Sequence, residues 1–346
     1  MLIYFVLVVL ILLFNYLRIK RRISEKLFYN LFCILMILVT GLRNPSVGAD
    51  SYVYYEMFEN ARTESLISFL SEHRDIGFSL VSWIVMWLGG NFTVMALLVA
   101  TLFYIPFFKL IERYSEDPGL SLLVLLGFTF FQFTMTGMRQ TAALGFSFMF
   151  IYEVLNWKGR WVRAMLWVTI AYLFHNSAFV IILYPFIVAL CNRGNRYIAL
   201  YVLIPIFLLF KGTIVSVFMP VLEIEGFEFN LEERGGGVTT LLVYIGLFAY
   251  GYWVSKNKVS SISHFDMGLM ALIVALQCLV SENSLFFRGV WYYSFYICIF
   301  IPKLVSATSI MNRHFIRTCI YAALLFMYFG MTIGSAHVMP YKFFWQ

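Results

Sequence analysis

The chain has 346 residues, of which 62% are hydrophobic and 12% charged, with 37 phenylalanines and a mean hydropathy of +0.83. Apolar content of this order excludes a water-soluble globular domain and identifies a polytopic membrane protein. The formal net charge of +7 is spread over short loops between apolar runs, so it reads as a topology signal and calls for no nucleic-acid partner.

Leu2 to Leu17 is a continuous apolar run, close to the ~20 residues that cross ~30 Å of hydrocarbon. Continuity, in place of alternation, selects helices over a barrel. No basic region precedes this run and no small-residue cleavage site follows it, so it is expected to be a retained helix and not a signal peptide. "RIKRR" at 18–22 comes next. By the positive-inside rule that loop is cytoplasmic and the N-terminus lies outside.

Basic clusters recur at 109–113, 158–163, 193–196, 256–258 and 303–317, each marking a further cytoplasmic loop. Threading the apolar runs between them predicts spans at 4–17, 27–42, 91–109, 120–135, 140–156, 161–174, 178–191, 197–211, 238–254, 264–280, 286–302 and 316–334. The expected fold is an all-α polytopic integral membrane protein, one transmembrane domain over 1–346 with about 12 transmembrane helices.

Two outer loops stand out on this threading. In 43–90, residues 51–75 mix acidic and apolar side chains at helical spacing, which predicts an amphipathic helix on the outer surface. Ile76 to Gly90 is apolar but too short to span, and a crossing there would move every later basic loop outside. A re-entrant or interfacial helix is expected instead. The second loop, 212–237, carries Glu223, Glu225, Glu228, Glu232, Glu233 and three consecutive glycines, the composition of a solvated loop or of a lid. The five cysteines lack CxxC spacing, so neither a disulfide framework nor a metal knuckle is indicated.

The threading brings distant polar residues to one membrane face: Arg43 with Asp50, Arg139 with Gln140 in "TGMRQTAAL", His175 with Asn176 in "LFHNSAF", and Arg288 in "SENSLFFRGV". An arginine in or near hydrocarbon costs ~2.5 kcal/mol or more, so it normally faces the bundle interior. Arg139 and Arg288 each open a predicted helix at its outer end, where backbone N–H groups and the helix dipole favour a phosphate. The competing reading has each arginine snorkel to the interface or pair with a structural carboxylate. His175 or Asp50 is the candidate base; the residues alone do not choose between them. Tyr54, Tyr55 and Tyr292 offer rings and hydroxyls to a sugar, or form an interfacial aromatic belt. There is no GxSxG elbow, HExxH, Walker loop or outward-facing metal pair, which leaves serine hydrolases, zinc proteases and ATPases unsupported.

The stretches "GLRNPSVGADSYVYYEMF", "GMRQTAALGFSFMF" and "AYLFHNSAFVIILYPF", in this order and spacing, resemble the EpsG-like branch of the Wzy-type O-antigen and polysaccharide repeat-unit polymerases. The resemblance runs clearly from about 43 to 190 and by hydrophobic pattern beyond. Where this sequence has Ala49, the family more usually has Thr or another small polar residue. The resemblance implies a glycosyltransferase of GT-C-like architecture in the bacterial inner membrane, with its site facing the periplasm and with no metal or other cofactor. Its substrates would be undecaprenyl-diphosphate-linked oligosaccharides, and a flippase and a chain-length regulator protein would be its partners. On this reading Arg139 and Arg288 hold the diphosphate, Arg43 assists, and His175 or Asp50 activates the acceptor hydroxyl. The rival readings are an O-antigen ligase, with the same charges and another acceptor, and a lipid-linked oligosaccharide flippase.

Overall fold

The computed structural model describes residues 1–72, 75–156, 161–224, 237–256, 261–334 and 336–346. Among them the regular structure is helical, and the one strand-like pairing is an isolated antiparallel bridge between Arg43 and Phe343. The chain divides into two compact units, the first formed by Met1–Phe179, Ile297–Pro302 and Met311–Gln346 and the second by Val180–Tyr296 and Lys303–Ile310.

In the first unit, α1 (Leu2–Ile19) is followed by α2 (Glu25–Gly41), whose N-cap Ser24 accepts a hydrogen bond from the Leu27 amide. Three short helices then carry the chain through the region read as an outer loop: α3 (Ser51–Asn60), α4 (Leu66–Glu72) and α5 (Ile76–Trp87). The last has the expected short length and buries Phe78, Ser79, Ser82 and Val85. Its opposite face leaves Ile76, Leu80, Ile84 and Trp87 exposed, apolar side chains at i, i+4, i+8 and i+11 that suit a lipid boundary better than water.

Next come α6 (Phe92–Tyr114), capped by Asn91, and α7 (Pro118–Gly127), which has Asp117 as N-cap and proline in its first turn, the position where a missing N–H does no harm. A left-handed Thr129 separates α7 from α8 (Phe130–Thr136), and the pair is bent by 59°. α9 (Met138–Leu155) and α10 (Trp161–Phe174) complete the series. α2, α6, α9 and α10 pack in succession, and α5 packs on α10. The α6–α9 contact depends on Gly145, where a Cβ would run into the Leu102 carbonyl oxygen. Small residues let membrane helices approach in this way.

The second unit has α11 (Tyr184–Cys191), α12 (Ile198–Ile224), α13 (Val238–Ser255) and α15 (Phe287–Ser294) packed on α14 (His264–Val280). α14 begins with a capping box in which Ser263 and Asp266 satisfy each other's backbone. Asp266 is fully buried and also accepts from Tyr296 and from Lys303, the latter at 2.9 Å. α16 (Ile297–Ala307) is shared between the units by sequence, and α17 (Ile310–Phe326) returns to the first.

Among the described residues four helices, α1, α6, α12 through Phe218, and α13, are long and apolar enough to cross a membrane, and up to six spans result if each bent pair counts as one. The architecture is the expected all-α polytopic one. Several predicted spans, among them 161–174 and 264–280, are helices of 14 and 17 residues, short for an untilted crossing. The dozen spans read from the sequence are therefore not all matched by full-length helices. The 212–237 segment also differs from expectation: α12 continues to Ile224, while Glu225, Glu228, Glu232, Glu233 and the first two of the three glycines lie outside the described residues.

Gly145→Leu should lower the unfolding free energy in detergent by about 1–3 kcal/mol, because an added side chain in a close-packed crossing forces the helices apart. A thermal melt monitored by helical circular dichroism would read this as a lowered midpoint.

Candidate functional site

The first unit gathers three polar or aromatic side chains, from α3, the start of α9 and the residue just past α10, around one carboxylate. Asp75 occupies the N-cap position of α5 without capping it, since its side chain makes no cap hydrogen bond. Its carboxylate is instead turned inward, 6% exposed, with Oδ2 2.9 Å from Arg139 Nη1 and 3.3 Å from His175 Nδ1. Arg139 is the second residue of α9, and His175 follows the last residue of α10. Tyr54 of α3 completes the group, with the Arg139 guanidinium carbon 5.5 Å from its ring centroid.

Local sequence explains the convergence. Asp75 is followed by Ile76 and Gly77, and a Cβ on Gly77 would lie 3.0 Å from the main chain of Leu173. The glycine lets the first turn of α5 lie against the last turn of α10, which brings Asp75 and His175 together. His175 ends the regular helix, its amide still bonded to the Ala171 carbonyl, and the chain continues as a 3-10 turn from Asn176 to Leu183.

A carboxylate can only accept, so the 3.3 Å contact makes Nδ1 the protonated nitrogen of His175. Nε2 is then left as the basic nitrogen, and among the described residues nothing bonds to it. Arg139 is partly committed: Nη1 faces Asp75, Nε is buried without a partner, and the side chain as a whole is 35% exposed. With the imidazole neutral, the Asp75 and Arg139 charges cancel. The arrangement can take up a proton at Nε2 and stabilise the resulting imidazolium through Asp75.

The other residues singled out in the sequence are placed differently. Arg43 lies beyond the end of α2 and is 1% exposed; it donates to the Thr40 and Val47 carbonyls, and its Nη2 has no partner. Burial pulls this guanidinium below its ordinary value, to about 10, so it stays cationic at neutral pH. It is covered by the C-terminal segment, whose main chain bonds to Leu42, Asn44, Gly48 and Ala49 while Tyr341 donates to the Val39 carbonyl. Arg43 therefore braces a loop and does not line an open surface, in contrast to the assisting role read from the sequence.

Asp50 is exposed at the N-cap of α3, its carbonyl bonded to the Tyr54 amide, and among the described residues its carboxylate has no ion pair. Tyr55 packs against Tyr52 and Phe92 at ring separations of 5.8 Å and 5.6 Å. Gln140 is buried beside Arg139 in α9, and Asn176 is half-buried at the start of the 3-10 turn. Arg288 and Tyr292 belong to α15 of the second unit. Tyr292 is 1% exposed, so its ring is core and is not offered to a sugar, whereas Arg288 is exposed.

Asp75 is the residue the sequence reading missed. Its signal was a lone acid directly preceding an apolar helix too short to span, a place where a carboxylate has either a cap to make or a cation to meet. Among the described residues no group of three His, Cys, Asp or Glu side chains is arranged to hold a metal ion.

Removing the carboxylate leaves a half-buried cation without its partner, so Asp75→Ala should cost about 1–3 kcal/mol. The Asp75→Ala/Arg139→Ala double variant should cost less than the sum of the single changes, a coupling that a double-mutant cycle on thermal midpoints would measure.

The sequence profile of the EpsG family matches residues 26–343. No curated protein and no solved structure matches the chain.

Proposed function

The chain belongs to the EpsG family, a family of membrane proteins that act as polysaccharide polymerases, and from that premise we propose that it joins undecaprenyl-diphosphate-linked oligosaccharide repeat units on the periplasmic side of the bacterial inner membrane. The growing chain leaves its lipid diphosphate and is transferred to a terminal hydroxyl of the incoming lipid-linked unit.

The observation that carries the mechanism is the Asp75–His175 pair beside Arg139. A sugar hydroxyl is a poor nucleophile at neutral pH and needs a base within hydrogen-bond reach. His175 Nε2 takes the hydroxyl proton as the oxygen attacks the anomeric carbon. Asp75 holds the ring in the required tautomer and offsets the charge that forms on it. The bond from the anomeric carbon to the diphosphate oxygen breaks, and the lipid diphosphate departs with the electron pair. Diphosphate needs positive charge more than it needs a proton. The open side of Arg139 supplies part of it. His175 is favoured over Asp50 as the base, because a base needs an orienting partner and among the described residues the Asp50 carboxylate has none.

His175→Ala and Asp75→Asn should each reduce polymer formation about 100-fold or more, with the protein still present in the membrane. In cells the product would collapse from a ladder to a single repeat unit on the acceptor, read on a gel of the extracted glycolipid. Loss of all attached glycan would indicate a ligase instead, and normal ladders from both variants would remove the pair from the mechanism.

A further inference from the structure

The sharp corner between α1 and α2 has features that the proposed reaction does not use. Arg22 donates its amide to the Leu17 carbonyl and Arg21 donates its amide to the Arg18 carbonyl, with Arg21 at φ 54°. This is a Schellman closure, and it places an arginine in the left-handed position that glycine ordinarily fills. Arg18, Arg21, Arg22, Ser24 and Glu25 line an open pocket of about 590 Å³, together with Ile19 and Ile23.

The charges around this pocket are unevenly committed. Arg18 is satisfied by Asn15, Glu25 and Asp117. Asp117 is shared in turn with Arg317 at 3.1 Å, so both nearby acids are already neutralised. Arg21 and Arg22 are exposed, and among the described residues neither side chain has an ion pair or hydrogen bond. The turn thus places two guanidinium groups, unpaired among the described residues, at the mouth of a pocket whose own carboxylate is taken.

An apolar path leads to the same place. Leu13, Tyr16 and Ile19 are exposed along one face of α1, spaced i, i+3, i+6, and Ile19 is itself a wall of the pocket. A ligand that fits both parts is an amphiphile with a phosphate at one end and a hydrocarbon chain at the other. We propose that this corner binds an anionic phospholipid, its phosphate held by Arg21 and Arg22 and an acyl chain laid along Leu13, Tyr16 and Ile19.

The test uses the full chain purified in detergent and native mass spectrometry with added phosphatidylglycerol or phosphatidylcholine. Wild type should retain phosphatidylglycerol selectively, and Arg21→Gln/Arg22→Gln should lose about fivefold in retention for each arginine removed. A charge-matched control, Arg193→Gln/Arg196→Gln, should retain the lipid as wild type does. Arg21→Gly separates binding from folding: it relieves the left-handed turn, so thermal stability should hold or rise while lipid retention falls. A photoactivatable phosphatidylglycerol on wild type should label the peptide spanning 13–26. Equal retention by wild type and the 21/22 variant, equal losses in the control, or labelling elsewhere would overturn the proposal. Full displacement of the lipid by millimolar inorganic pyrophosphate would also overturn it, by showing that the pocket takes a free anion and not a lipid.

Discussion

A carboxylate taken out of water must find cations or donors, and Asp75 finds both in Arg139 and His175. The first unit depends on that contact. Asp75 stands at the start of α5, so its two partners fix where a short helix, unable to span on its own, sits against α10 and meets the start of α9. The same rule recurs elsewhere. Asp117 at the head of α7 receives Arg18 from α1 and Arg317 from α17, and in the second unit Asp266 of α14 receives Lys303 and Tyr296. Each acid caps or precedes a helix and pins a junction.

Charge balance distinguishes the three. Around Asp117 two arginines face one shared acid, and Arg18 has further acceptors; around Asp266 every donor is closed onto a fully buried group. Around Asp75 the partners keep something in reserve: a ring nitrogen that bonds to nothing among the described residues and a guanidinium that is only partly used. An open valence beside a satisfied carboxylate sets this group apart from the other two. Arg139 is thus divided between the Asp75 carboxylate and an open side.

The helical architecture was legible because apolar runs and loop charges leave few alternatives, and the bounds of α2, α9, α10 and α14 fall within a few residues of the runs. Arg139 and His175 were legible as isolated polar groups at helix ends. Asp75 was not: it sits in "SEHRDIGF", a stretch whose composition resembles any solvated loop, and its inward turn depends on Gly77 meeting a helix nearly 100 residues away. Arg43 misled for a related reason. Nothing near it in sequence announces the C-terminal segment that covers it. The number of spans was less legible than the helices themselves, because hydropathy reports what is apolar and not how much of it is one straight helix.

The C-terminal segment carries a consequence for how the molecule is made. Tyr341 bonds to Val39 across 302 residues, and Tyr4 bonds to Val338. The first two helices enter the membrane long before those partners exist. Until residues 336–344 leave the ribosome, the turn after α2 lacks its cover. A turn made early, directly after the second helix, is thus finished late, and early and late insertion steps are joined in a single closing event.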